Sequence, residues 1–109
     1  MPDARSEDEV VSVFKLASDP TRLRVLLLLD ESPAGAVCVT DLCAALGQTQ
    51  PAVSHHLALL RVSGVVACHR AGKMNMYSLL DTGRLIVSAA RAMMAGDPAA
   101  KARAKTRGR

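Results

Sequence analysis

Between Val39 and Val62 the chain reads VTDLCAALGQTQPAVSHHLALLRV, and this stretch restricts the fold more than any other. Leu42, Ala45 and Leu46 recur at the spacing of one helical face, and Val53, Leu57 and Leu60 do the same further on. Only Gly47, Gln48 and Thr49 separate the two runs, which leaves room for a tight corner and nothing more. A glycine past the last apolar position ends a helix, and a threonine shortly before a proline opens the next. The spacing therefore predicts one helix over Val39 to Leu46, capped by Thr40 with Asp41 in its first turn. It predicts a second over Gln50 to Val62, capped by Thr49 with Pro51 in its first turn. Two short helices joined by a short turn containing glycine form a helix-turn-helix.

The flanking segments build around that pair. Val10 to Ser18 carries Val10, Val13, Phe14, Leu16 and Ala17 at helical spacing, so an amphipathic first helix is expected. Asp19 or Ser18 can cap the next helix and Pro20 suits its first turn. Thr21 to Asp30 is apolar on most sides and predicts a helix in the centre of the domain, closed by ESPAG. After Gly64 the period changes to extended runs, Val65 to Arg70 and Met74 to Leu79, around Ala71 to Lys73, a hairpin with a basic tip. Asp81 to Ala95 returns to helical spacing, with Leu85, Ile86, Ala89, Ala90, Met93 and Met94 in a broad apolar stripe. The fold class is mainly α with a small β-hairpin, a winged helix-turn-helix in the order α-α-α-α-β-β-α. Its second paired helix fits a DNA major groove of roughly 12 Å, and its hairpin reaches the flanking backbone or minor groove.

The chain has 109 residues, 50% of them apolar, enough for one compact domain over residues 1–97. Residues 98–109 carry Lys101, Arg103, Lys105, Arg107 and Arg109 with no packing hydrophobes, and read as a basic, disordered tail. No apolar run approaches the roughly 20 residues of a membrane helix. The acidic start, MPDARSEDE, has no apolar export signal, so the expected location is the cytoplasm, with no membrane partner and the three cysteines as reduced thiols. The formal net charge is +4, and no acidic residue falls between Asp41 and Asp81, where Arg61, Arg70, Lys73 and all three histidines lie. A polyanion partner is one inference and a solvated surface the other.

Three blocks in order then resemble one family. LASDPTRLRVLLLL, AVCVTDLCAALGQTQPAVSHHLALLRVSGVV and HRAGKMNMYSL are similar to the early helix block, the helix-turn-helix and the wing of the ArsR/SmtB family of bacterial winged-helix repressors. The likeness spans about Phe14 to Leu79. It implies a homodimer built on the first and last helices, bound to an imperfect palindromic operator of double-stranded DNA and released by a small inducer. The expected dimer face is Val10, Val13 and Phe14 with Leu85, Ile86, Ala89, Ala90, Met93 and Met94. The alternative for the last helix is packing against the chain's own first helix.

With Val53, Leu57 and Leu60 inward, a rotation of about 100° per residue turns Ser54, His55, Ala58 and Arg61 outward. Gln48, Thr49, Gln50, Ser54, His55, His56 and Arg61, with Arg70 and Lys73 in the wing, are the candidate DNA contacts. His56 is expected at the border of the core, donating one hydrogen bond to backbone or phosphate. In the family's S-x-H-L pattern its position is the recurrent one, and that of His55 faces the operator. The two histidines are not expected to form a metal pair, because adjacent helical residues diverge by about 100° whereas ligands on one helix are three or four apart.

The effector is the open part. Many relatives carry C-V-C-D at the third helix, and this chain has Cys38-Val39-Thr40-Asp41-Leu42-Cys43, with Thr40 where the second cysteine would stand. Cys38 and Cys43 are the candidate site for a soft metal ion or thiol-reactive effector, or else two buried thiols acting as small hydrophobes; no cofactor is assigned as certain. A second family site needs a histidine two residues after Asp81, where this chain has Gly83, and no histidine follows His69. Cys68 and His69 are adjacent on a strand and point to opposite faces. No nucleophile, base and orienter come together, so an enzyme is not expected. With Phe14 and Tyr77 as the aromatic residues, the stacking platform of a single-strand RNA binder is missing too. The remaining rival is a dimeric winged-helix module whose exposed helix faces protein.

Overall fold

The computed structural model describes residues 4–96, so the expected basic tail and its boundary lie outside the described residues. The order is α1 (Glu7–Ala17), α2 (Pro20–Glu31), β1 (Val37–Cys38), α3 (Val39–Leu46), α4 (Gln50–Val62), β2 (Val66–Ala71), β3 (Met74–Leu79) and α5 (Asp81–Ala95). Five helices and a wing match the expected class, with one addition. β1 pairs antiparallel with β3, Val37 opposite Tyr77 and Cys38 opposite Met76, giving a sheet in the order β1-β3-β2. Two residues carry no periodicity of their own, so this strand leaves no trace in the sequence pattern.

Local chemistry sets the ends. Ser6 and Glu9 form a capping box, the Ser6 hydroxyl accepting the Glu9 N–H at 3.2 Å and the Glu9 carboxylate accepting the Ser6 N–H at 3.0 Å. The first helix therefore starts ahead of the apolar pattern at Val10. Asp19 caps α2 through the Arg22 N–H at 2.9 Å, and Thr49 caps α4 through the Ala52 N–H at 3.4 Å. The expected Thr40 cap is corrected: Cys38 is the N-cap of α3 and makes no side-chain cap bond. The chain runs from β1 straight into α3, which leaves Thr40 already inside the first turn. Gly47 ends α3 at φ 64°, and Gly72 at φ 63° opens the two-residue wing turn, the glycine-first arrangement suited to a hairpin.

The core lies around α2. Val25, Leu26, Leu42, Val53, Leu57, Leu60 and Val65 are each 0% exposed, and no polar or charged residue is buried among the described residues. Ala45, expected inward with Leu42 and Leu46, is exposed, because the face that meets the core is Val39, Leu42, Cys43 and Leu46 and Ala45 lies outside it. Among the described residues no helix is long and apolar enough to cross a membrane.

Candidate nucleic-acid interface

The corner between α3 and α4 is tied down before it presents anything. Gln48 is half-buried and its amide Nε2 donates to Thr21 Oγ1 at 3.1 Å, anchoring the turn to α2. Thr49 and Gln50 stand exposed beside it. Along α4 the full burial of Val53, Leu57 and Leu60 fixes the rotation of the helix. Ser54, His55, Ala58 and Arg61 are consequently exposed on the opposite side.

His56 has a different position. Its side chain is 18% exposed, with Nδ1 at 3.2 Å from Arg22 Nη1 and 4.0 Å from Asp19 Oδ2. Because a guanidinium only donates, Nδ1 accepts there, which puts the ring proton of the neutral imidazole on Nε2. Nδ1 is thus taken up by Arg22, and the expected donation to backbone or phosphate would fall to the Nε2–H. Arg22 also donates from Nε to Leu16 O at 2.7 Å, so α1, α2 and α4 meet at this one side chain. The Asp19 carboxyl is held below the usual carboxylate range, chiefly by the Arg22 backbone N–H and further by the charge of the Arg22 side chain, against a smaller opposing effect of desolvation. The rings of His55 and His56 lie 6.0 Å apart and tilted by 56°, so they do not converge on a point between them.

In the wing Arg70 and Lys73 are exposed, and Arg70 Nε donates to Gly72 O at 3.3 Å across the tip. His69 lies opposite Met76 and is exposed, whereas Cys68 lies opposite Tyr77 and is half-buried. Burial, and then the Cys68 side chain, push the Tyr77 hydroxyl above its ordinary pKa.

Cys38 and Cys43 both lie against the core. Cys38 is 3% exposed, Cys43 is packed against the core, and Thr40 is exposed. Among the described residues no three or more His, Cys, Asp or Glu side chains are grouped so as to hold a metal ion. Both thiols are packed as small hydrophobes would be. The interhelical alternative is closed sterically: a Cβ at Gly83 would land on the carbonyl oxygen of Val65 and lie 3.0 Å from Leu79 Cδ2. Asp81 is instead paired with Arg84 at 3.1 Å.

On the far side of the protomer, α1 and α5 enclose an apolar groove of about 400 Å³ that includes Val10, Phe14, Leu85 and Ala89. Phe14 is 67% exposed, Leu85 70%, Met93 75% and Met94 60%. Val13 and Ala90, expected on the same face, are buried within the protomer at 6% and 7%, and Ile86 is half-buried against the core. Sequence reasoning missed the Asp19–Arg22 brace on His56 and the role of Arg5, whose guanidinium reaches Thr82, Ser63 and Gly64. The D-P-T-R block held a signal for the first; a lone arginine ahead of a helix held none for the second.

The chain shares this geometry with known proteins, and four similarities stand out. Residues 19–67 match the model of the bacterial regulatory protein arsR family. The chain is 49% identical over 69 residues to the arsenical resistance operon repressor of Escherichia coli K12, covering 63% of this chain and 57% of that one. It is 38% identical over 71 residues to the transcriptional repressor SdpR of Bacillus subtilis, covering 65% of this chain and 76% of that one. In structure it is similar to a homodimeric winged helix-turn-helix DNA-binding domain from Mycobacterium bovis, with a TM-score of 0.67 at 26% identity over 81% of this chain and 86% of that one.

Proposed function

The chain belongs to the arsR family of bacterial regulatory proteins, and from that premise we propose that it is a homodimeric repressor of transcription that binds a double-stranded DNA operator in the cytoplasm. It is no enzyme on this reading. The observation that carries it is the division of α4, with Val53, Leu57 and Leu60 wholly buried and Ser54, His55 and Arg61 exposed on a segment free of acidic residues. Such a face lies in a major groove with its N-terminal residues on the base edges.

Gln50, Ser54 and His55 then read bases, Thr49 and Arg61 meet phosphates, and Gln48 and His56 hold the helix in position. Arg70 and Lys73 reach the flanking backbone. The groove of Phe14 and Leu85, with Met93 and Met94, meets its copy across a two-fold axis, and so sets two α4 helices on successive turns of the duplex. A thiol-seeking effector would act by opening the packing of Cys38 and Cys43 at the start of α3, the helix that supports α4.

The test is binding to the DNA upstream of its own gene over a salt series. Affinity should fall steeply with salt, and Arg70→Ala or Lys73→Ala should each reduce the slope by about one. The triple replacement of Gln50, Ser54 and His55 by Ala should lower specific affinity by about 10- to 100-fold. A flat salt response, or unchanged binding by the triple variant, would overturn the reading in favour of a protein-binding winged helix.

A further inference from the structure

Arg5 precedes α1 in sequence, yet its guanidinium is spent on elements far along the chain. Nε donates to Thr82 Oγ1 at 3.2 Å, in the first turn of α5. Nη2 donates to the Ser63 carbonyl at 2.9 Å and lies 3.4 Å from that of Gly64, at the exit of α4. A cation placed on the last carbonyls of a helix is favoured there, since those oxygens have no partner within the helix and carry its negative end. Gly64, at φ 72°, lets the guanidinium come close: a Cβ there would stand 2.9 Å from Arg5 Nη2.

The same corner is packed tightly from the other side. The Val65 carbonyl accepts the Leu80 N–H at 3.0 Å, and Gly83 leaves no Cβ between α5 and that carbonyl. The exit of α4 therefore rests directly under the start of α5. Arg5 also lines the apolar groove between α1 and α5, as well as a polar cavity of about 580 Å³ with Ser63, Asp81 and Arg84. One side chain thus touches the end of the exposed helix, the first turn of the last helix and the edge of the groove.

We propose that Arg5 is a positioning residue that sets the angle between α4 and the α1–α5 pair, and through it the spacing of the two DNA-reading helices in the dimer. The proposal rests on the DNA-binding reading. A fork of donors is needed because Ser63, Gly64 and Thr82 are engaged from one planar group, which a lysine cannot reproduce.

The experiment takes duplexes selected by the wild-type protein from a random library, then inserts or removes one base pair between the half-sites. Wild type should prefer the selected spacing strongly. Measured at protein concentrations where both proteins are dimeric, Arg5→Ala should lose that preference by about tenfold while the salt slope stays unchanged; Arg5→Lys should restore it only in part. Thr82→Val, which removes one of the contacts and leaves Arg5 in place, should show a smaller loss in the same direction. Equal spacing preference in wild type and Arg5→Ala overturns the positioning role, as does a loss in Arg5→Ala confined to thermal stability. Failure of the wild type to select any duplex overturns the DNA-binding reading itself, and the proposal with it.

Discussion

α4 and α5 are helices of 13 and 15 residues, both amphipathic, and they treat their apolar residues in opposite ways. α4 commits Val53, Leu57 and Leu60 to the protomer's own core and turns Gln50, Ser54, His55 and Arg61 to solvent, with exposed apolar residues gathered toward its end at Ala58, Leu59 and Val62. α5 commits Val87 and Ala90 to the core and turns Leu85, Met93 and Met94 outward. The first pattern suits a hydrated, charged partner, and the second suits a surface that excludes water. On the proposed reading the chain would carry two kinds of recognition on two helices, with Arg5 joining their ends.

The contrast can be broken most sharply from the outer face of α5. Leu85→Asp places a charge where the apolar groove would close on a second copy. It should abolish dimerisation and lower operator affinity by at least about 100-fold, while the protomer keeps its helical circular dichroism. Sedimentation with DNA-binding assays checks both, and a fully dimeric Leu85→Asp protein would show that the groove is not the interface.

A second, smaller effect separates the inner face of α5 from its outer one. Gly83→Ala should destabilise the fold by about 1–3 kcal/mol, since the added methyl meets the Val65 backbone rather than a movable side chain. Thermal unfolding measures it. Retention of wild-type stability would mean that α5 does not rest on the exit of α4 as closely as described.

The smallest effect concerns the brace under α4. The Asp19 carboxyl is depressed in the folded protein, mainly by the Arg22 N–H, so its contribution is present above the ordinary carboxylate pKa and is lost as pH falls through the lower folded value. Asp19→Asn keeps a capping oxygen without the charge, and should flatten the decline of Tm below about pH 4 by about 2 °C or less. Identical pH profiles for the two proteins would remove Asp19 from the account.

Much of this was legible in the residues because it depends on local rules. The corner at Gly47 to Thr49, the inward set on α4 and the bounds of α5 follow from periodicity and capping alone. The burial of Val13 and Ala90 was not legible, since a helical stripe shows which residues are apolar and not which side of the stripe meets the core first. The partner of His56 was hidden for a similar reason: Arg22 lies 34 residues away, and only the crossing of α2 and α4 brings the two together. β1 was too short to announce itself, and Thr40 lost its expected capping role because that strand enters α3 directly.

The sequence by itself determined the helix-turn-helix, the wing and the resemblance to a regulator family, because spacing and turn chemistry act over a few residues. Tertiary structure alone decided that Cys38 and Cys43 pack without a third donor among the described residues and that a side chain at Gly83 would run into the Val65 backbone. It also decided that Arg5 closes the gap between α4 and α5, since these outcomes depend on elements that meet only after the chain has folded back on itself.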